Sequence, residues 1–150
     1  MLAVLNTSVL IALHDIGRLE LLKALFTRVL VPKTVSDEYG SPLPEWIEVR
    51  KVRNEVLLRA LTQELHRGEA EAVVLAIETG ADLLVMDDKK ARRVARNLGL
   101  RVIGTVGLLL LAKERGLLDQ VRPLLLELIR KGFWLSQDVV RRALKEAGEA

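Results

Sequence analysis

Two kinds of apolar stretch alternate along this chain. Short runs of Val, Ile and Leu with no polar position read as strands buried on both faces. Longer stretches with apolar residues three and four apart read as amphipathic helices. Val4-Leu5 and their flanks form the first strand, and Thr7 or Ser8 stands where a helix N-cap is wanted. SVLIALHDI follows as a short helix broken at Gly17, and RLELLKALF as a second. Val29 to Pro32 is strand two, with Pro32 suited to the first turn of the helix KTVSDEYG. SPLPEW is a loop, and IEVRKV (47–52) alternates apolar and charged residues as a half-exposed or edge strand does.

From Glu55 the period is helical to Leu65, interrupted at Arg67-Gly68. GEAEAVVLAIETG is a helix ended by Gly80, and ADLLVMDD is the clearest buried strand, an apolar run stopped by two aspartates. A basic helix, KKARRVARNLG, a strand, LRVIG, and three closing helices (TVGLLLLAKERGLL, VRPLLLELIRKG and LSQDVVRRALKEAG) complete the chain. Strands alternating with helices, with no repeat and no linker, predict one α/β domain over residues 1–150. The expected architecture is a three-layer α/β/α sandwich around a central, mainly parallel sheet.

Composition narrows the chemistry. Half the residues are hydrophobic but only 3% are aromatic, so the core is aliphatic. With no cysteine, disulfides and thiolate metal sites are excluded, and a reducing cytoplasm fits. No signal peptide is apparent, and the apolar run from Val102 to Ala112 is too short to span a bilayer, so a soluble protein is expected. Net charge is +3, from 23 basic and 20 acidic residues, only a mild hint of a polyanionic partner.

The distribution of charge says more. In an open α/β sheet, ligands gather at the carboxyl ends of the strands. There the sequence puts Asn6-Thr7-Ser8 after strand one and Asp87-Asp88 after the central buried strand. The helix after strand two brings Asp37 and Glu38, and the helix opened by Gly68 brings Glu69 and Glu71. Helical phase separates these pairs. Glu38 shares the inward face of Val35, whereas Asp37 lines up with Lys33 and Thr34 on a solvent-like stripe. Glu69 shares a face with Ala72, Val73 and Ala76, whereas Glu71 aligns with Glu78 and reads as exposed. The inward acids are therefore Glu38, Glu69 and Asp87, with Asp88 close by.

Converging carboxylates repel unless a cation offsets them. Mg²⁺ or Mn²⁺ prefers an all-oxygen shell and stabilises charge on a reacting phosphate, which points to phosphodiester chemistry. Taken singly, Asp87-Asp88 could cap the basic helix, and Glu69 could favour the positive end of its own helix. Their joint placement favours a metal site. Lys89, Arg92, Arg93 and Arg96 share one face of the helix after Asp88, a stripe able to hold a phosphate backbone beside the acids. Phe26, Tyr39, Trp46, Phe133 and Trp134 are scattered, so base stacking finds weak support. No P-loop, dinucleotide fingerprint, nucleophile elbow or H-E-x-x-H is present, and His14 and His66 read as surface or helix-end residues.

With these residues in place, the chain resembles PIN-domain proteins, in particular a VapC-like branch of toxin ribonucleases. The likeness runs through LNTSVLIALHDIGRLELL, VPKTVSDE, RGEAEAVVLAIETGADLLVMDDKKARRVARNLGLRVIGTVGLLLLAKERGLL and GFWLSQDVVRRALKEAGE. It implies an acidic quartet that binds Mg²⁺ or Mn²⁺ and hydrolyses RNA. By motif, Glu38 ends V-P-x-x-V-x-x-E, Glu69 opens the G-E-A-E-A helix and Asp87 ends L-L-V-M-D, with Asp88 as an added ligand or water-positioning group. The family places an aspartate at the end of strand one, where this chain has Asn6. An amide offers one neutral oxygen instead of two charged ones, so metal affinity should fall, while Thr7 and Ser8 keep the local geometry.

The implied partners are RNA, a small antitoxin and a second copy of the chain. The alternative reading is a silenced PIN domain that binds RNA or a protein and cuts poorly. A receiver-like phosphoacceptor domain fits less well, because the acidic pair it needs near strand one is missing.

Overall fold

The computed structural model describes residues 1–150. Five strands form one sheet: β1 (Leu2–Leu5), β2 (Arg28–Pro32), β3 (Ile47–Arg50), β4 (Leu83–Val85) and β5 (Val102–Ile103). Their order is β3-β2-β1-β4-β5, and every neighbouring pair is parallel. IEVRKV is the edge strand β3, as its alternation predicts. The sheet is α/β throughout, and its parallel pairing is what short apolar strands separated by helices require.

Helices cover both faces. On one side lie α1 (Thr7–Asp15), α2 (Glu20–Leu25), α3 (Lys33–Tyr39), α7 (Thr105–Glu114), α8 (Arg122–Arg130) and α9 (Gln137–Glu146). On the other lie α4 (Glu55–Leu61), α5 (Arg67–Thr79) and α6 (Lys89–Asn97). Successive strand side chains point to opposite faces. Thus Ala3, Leu5, Val29, Val31, Leu83 and Val85 join the first aliphatic core, and Val4, Leu30 and Leu84 join the second. No helix is long and apolar enough to cross a membrane.

Several boundaries differ from the sequence reading, three of them instructively. Asn6, not Thr7 or Ser8, is the N-cap of α1, and its side chain makes no capping bond. The two hydroxyls are drawn away to carboxylates instead. Pro32 closes β2 rather than opening α3. Helix α4 stops at Leu61, because Thr62 Oγ1 (2.9 Å) and Gln63 Nε2 (3.5 Å) both donate to the Arg59 carbonyl and tighten the last turn.

Strand order fixes where a ligand can sit. From β1 the chain moves outward through β2 to β3, then crosses back to place β4 on the other side of β1. The crevice outside the carboxyl ends of β1 and β4 is the switch point of the sheet. Asn6 and Asp87 flank it.

Candidate active site at the switch point of the sheet

The chain leaves β1 by a last ladder bond, Asn6 N–H to the Val85 carbonyl at 3.1 Å, and turns into α1. Asn6 is 8% exposed, and its side-chain amide bonds no protein group. The next two hydroxyls reach apart. Thr7 Oγ1 donates to Glu38 Oε1 on α3 at 2.7 Å, and Ser8 Oγ donates to Asp87 Oδ2 beyond β4 at 3.0 Å. Asn6-Thr7-Ser8 thus ties two acids, brought from distant parts of the chain, to the rim of one crevice.

Asp87 is the most firmly held of the four. Oδ1 accepts the Thr105 N–H at 2.7 Å, and Oδ2 accepts Thr105 Oγ1 at 2.9 Å in addition to Ser8. Thr105 is fully buried and opens α7, so Asp87 also satisfies a free amide at the start of that helix. The sequence reading passed over Thr105 as part of an apolar helix. The rule that found the other residues applies to it too, since it follows a strand end.

Glu38 and Glu69 meet at the start of α5. A Cβ on Gly68 would lie 2.5 Å from Glu38 Oε1, so only glycine lets that carboxylate rest against the helix there. Glu69 Oε1 accepts the His66 N–H at 3.2 Å, so the helix-end reading is correct for one of its oxygens. Burial pushes the Glu69 carboxyl above its ordinary value. The charge of Asp88 adds to this, the His66 bond opposes it, and the charge of Glu38 raises it further. Asp88 is the N-cap of α6, where its Oδ1 accepts the Ala91 N–H at 2.9 Å, and the residue is exposed.

None of these four carboxylates takes part in a salt bridge. No three of the chain's His, Asp and Glu groups are drawn tightly enough together to hold an ion unaided. The donor set is nonetheless all oxygen, negative and unneutralised. Such a set suits a cation that keeps several waters and takes one or two carboxylates directly, as Mg²⁺ does.

Glu71 corrects the sequence reading. Placed on a solvent stripe by helical phase, it is instead 5% exposed. Helix α3 covers that face of α5. Glu71 accepts Thr34 Oγ1 at 2.7 Å, the Thr34 N–H at 3.3 Å and Arg67 Nε at 2.8 Å. Its charge is spent on joining the start of α3 to α5, so it is structural. Asp37 lies where predicted, exposed and paired with Lys33 at 3.0 Å, but Glu38 is exposed as well and meets the site through Thr7 and Gly68 rather than by burial.

The basic stripe of α6 is not uniform. Lys89 and Arg93 are exposed. Arg96 donates to the Val102 carbonyl at 3.3 Å and braces β5. Arg92 is half-buried, and its Nε is buried without a partner. A Cβ on Gly104 would lie 2.6 Å from Arg92 Nη1 and 3.0 Å from Asp87 Oδ1, so the missing side chain at 104 lets guanidinium and carboxylate approach one spot. His14 bonds the Tyr39 hydroxyl at 3.1 Å, and His66, the N-cap of α5, meets Glu69 through its backbone N–H; both are exposed.

A family model described as PIN domain matches residues 2–149. No curated protein matches the chain.

Proposed function

Because the chain belongs to the PIN-domain family, whose members are generally nucleases, we propose that it is a Mg²⁺- or Mn²⁺-dependent endoribonuclease. The observation that carries this reading is the set of four carboxylates at the switch-point crevice with no cationic partner. Glu38, Glu69 and Asp87 would hold the ion, with the Asn6 amide oxygen as a neutral fourth donor. When bound, the ion would lower the pKa of a water and offset charge growing on the scissile phosphate.

The chain's own residues do the rest. Thr105 and Ser8 fix the Asp87 carboxylate, and Thr7 with Gly68 fixes Glu38, so neither acid must reorganise when substrate arrives. Glu69 gives only Oε1 to the His66 N–H, so Oε2 is open to the ion. Asp88 keeps one oxygen free of its capping bond and can orient a water. Arg92 reaches toward the phosphate beside Asp87, while Lys89, Arg93 and Arg96 draw in the RNA backbone.

The toxin role rests on the VapC-like likeness. It brings a small antitoxin and a second copy of the chain as partners, in a reducing cytoplasm that the absence of cysteine suits. One observation favours a second reading, a weakened PIN domain that binds RNA or a protein. The Asn6 amide sits unpartnered where the family carries a charged ligand.

Cleavage of a labelled single-stranded RNA in Mn²⁺ tests both. Wild-type cutting that Asp87→Asn removes supports the nuclease. Cutting by Asn6→Asp alone supports the weakened domain. No cutting by any of the three, with no metal-dependent stabilisation, overturns both.

A further inference from the structure

The pocket that runs from the candidate active site along α1 carries one more function. It is a half-open pocket of about 290 Å³, room for one planar ring system. Ser8 opens it, Ile11 and Asp15 line its α1 side, and Leu128, Lys131 and Phe133 form the other wall. Ser8 is the residue whose hydroxyl donates to Asp87, so the pocket begins one hydrogen bond from the acids. Seven helical residues separate Ser8 from Asp15, about 10 Å, within reach of a nucleotide next to the one being cut.

The aromatic wall is preset. Gly132 takes a left-handed turn (φ 96°) at the end of α8, and Phe133 N–H bonds back to the Leu128 carbonyl at 2.9 Å. The turn holds Phe133 against the end of its own helix, half-buried and without a bond its side chain must give up. Ile11, which lines the same pocket, is 43% exposed and so open to a ligand. The rim carries Lys131, an exposed cation, and Asp15, an exposed acceptor. A pocket that offers the apolar surfaces of Ile11, Leu128 and Phe133 beside one donor, Lys131, and one acceptor, Asp15, complements a nucleobase, which has two π-faces and an edge of N–H and oxygen groups.

We infer that this pocket holds one unpaired nucleobase of the bound strand, stacked on Phe133 and packed on Ile11, and so sets which nucleotide is presented to the acids. The inference rests on the RNA-cleaving reading for its strand, but its test does not require cleavage.

Short single-stranded oligoribonucleotides, each with one abasic nucleotide at a different position, are titrated onto the protein in EDTA. In the wild type one abasic position weakens binding by about 5- to 100-fold, the range of a single base stack, and the other positions do so far less. Phe133→Leu keeps the apolar volume but loses the ring, and Ile11→Glu blocks the pocket from an exposed position. Either variant abolishes the difference between positions. Equal effects at all positions, a Phe133→Leu variant that binds like wild type, or no RNA binding at all overturns the pocket. An intact positional penalty in a protein that never cuts RNA supports the pocket and removes the nuclease. RNA cutting without any positional penalty does the reverse.

Discussion

Glu69 and Glu149 are the same residue type in opposite electrostatic situations. Both sit near a helix start and both lose water. Burial would raise Glu149, but the Lys113 ammonium at 2.8 Å and the backbone amides of Val121 and Arg122 outweigh it and hold the carboxyl at about 2. Glu69 accepts one amide and pairs with no Lys or Arg; burial and the charges of Asp88 and Glu38 outweigh His66 and push it up. The first carboxylate is satisfied by its own chain and pins the C-terminal segment to α7 and α8. The second is left wanting a positive charge from outside. A carboxylate that the fold has neutralised reads as structure, and one that it has left unneutralised at a sheet switch point reads as function.

That contrast can be broken by mutation, and the effects should rank. Asp87→Asn has the largest: loss of more than about 100-fold in metal-dependent RNA cleavage, since loss of even a group supporting a metal ligand costs 10–100-fold. Thr105→Val should cost about 10- to 100-fold in cleavage or in Mn²⁺ affinity, because Asp87 loses a hydroxyl that holds it. A thermal shift titration with Mn²⁺ separates that loss from any change in the metal-free melting temperature.

Glu149→Gln tests the other side. It should lower Tm by several degrees and leave Mn²⁺ binding unchanged. Its pH dependence follows from the sign of the shift. A carboxyl depressed to about 2 stabilises the fold above its ordinary value near 4.5, and that stability is lost as pH falls from there toward 2. Acid unfolding followed by circular dichroism should therefore have a shallower slope in that window in the variant.

On the stability of the metal-free protein, Glu69→Gln has the smallest expected effect and the opposite sign. A raised carboxyl means that the folded state holds the proton more tightly than the unfolded one. This residue's contribution to stability therefore falls as pH rises above about 4.5. Removing the charge should stabilise the metal-free protein at pH 7 by less than about 1 kcal/mol, since the group is part-exposed and screened. Saturating Mn²⁺ should abolish that gain. A Glu69→Gln protein less stable than wild type in EDTA would break the comparison.

Much of the fold was legible because strand runs such as LLVM admit no other placement; helix phase called Glu38 and Glu69 inward, yet Glu38 is exposed and Glu69 only half-buried. Phase failed at Glu71, because it describes one helix and cannot see that α3 lies over the face it assigns to solvent. Thr105 was hidden inside an apolar run, where its two bonds to Asp87 depend on β5 ending beside β4. Gly68 and Gly104 carry no side-chain signal, and their role is the space that Glu38, Asp87 and Arg92 occupy. That Phe133 shares a pocket with Ser8 was likewise hidden, because the two are far apart in sequence.

The most direct test of the central claim is single-turnover cleavage of one labelled single-stranded RNA by the wild type, with Mn²⁺ and with EDTA, beside Asp87→Asn. The account predicts cleavage by the wild type in Mn²⁺ alone and none by the variant. Equal cleavage by the variant, or by wild type in EDTA, would contradict it.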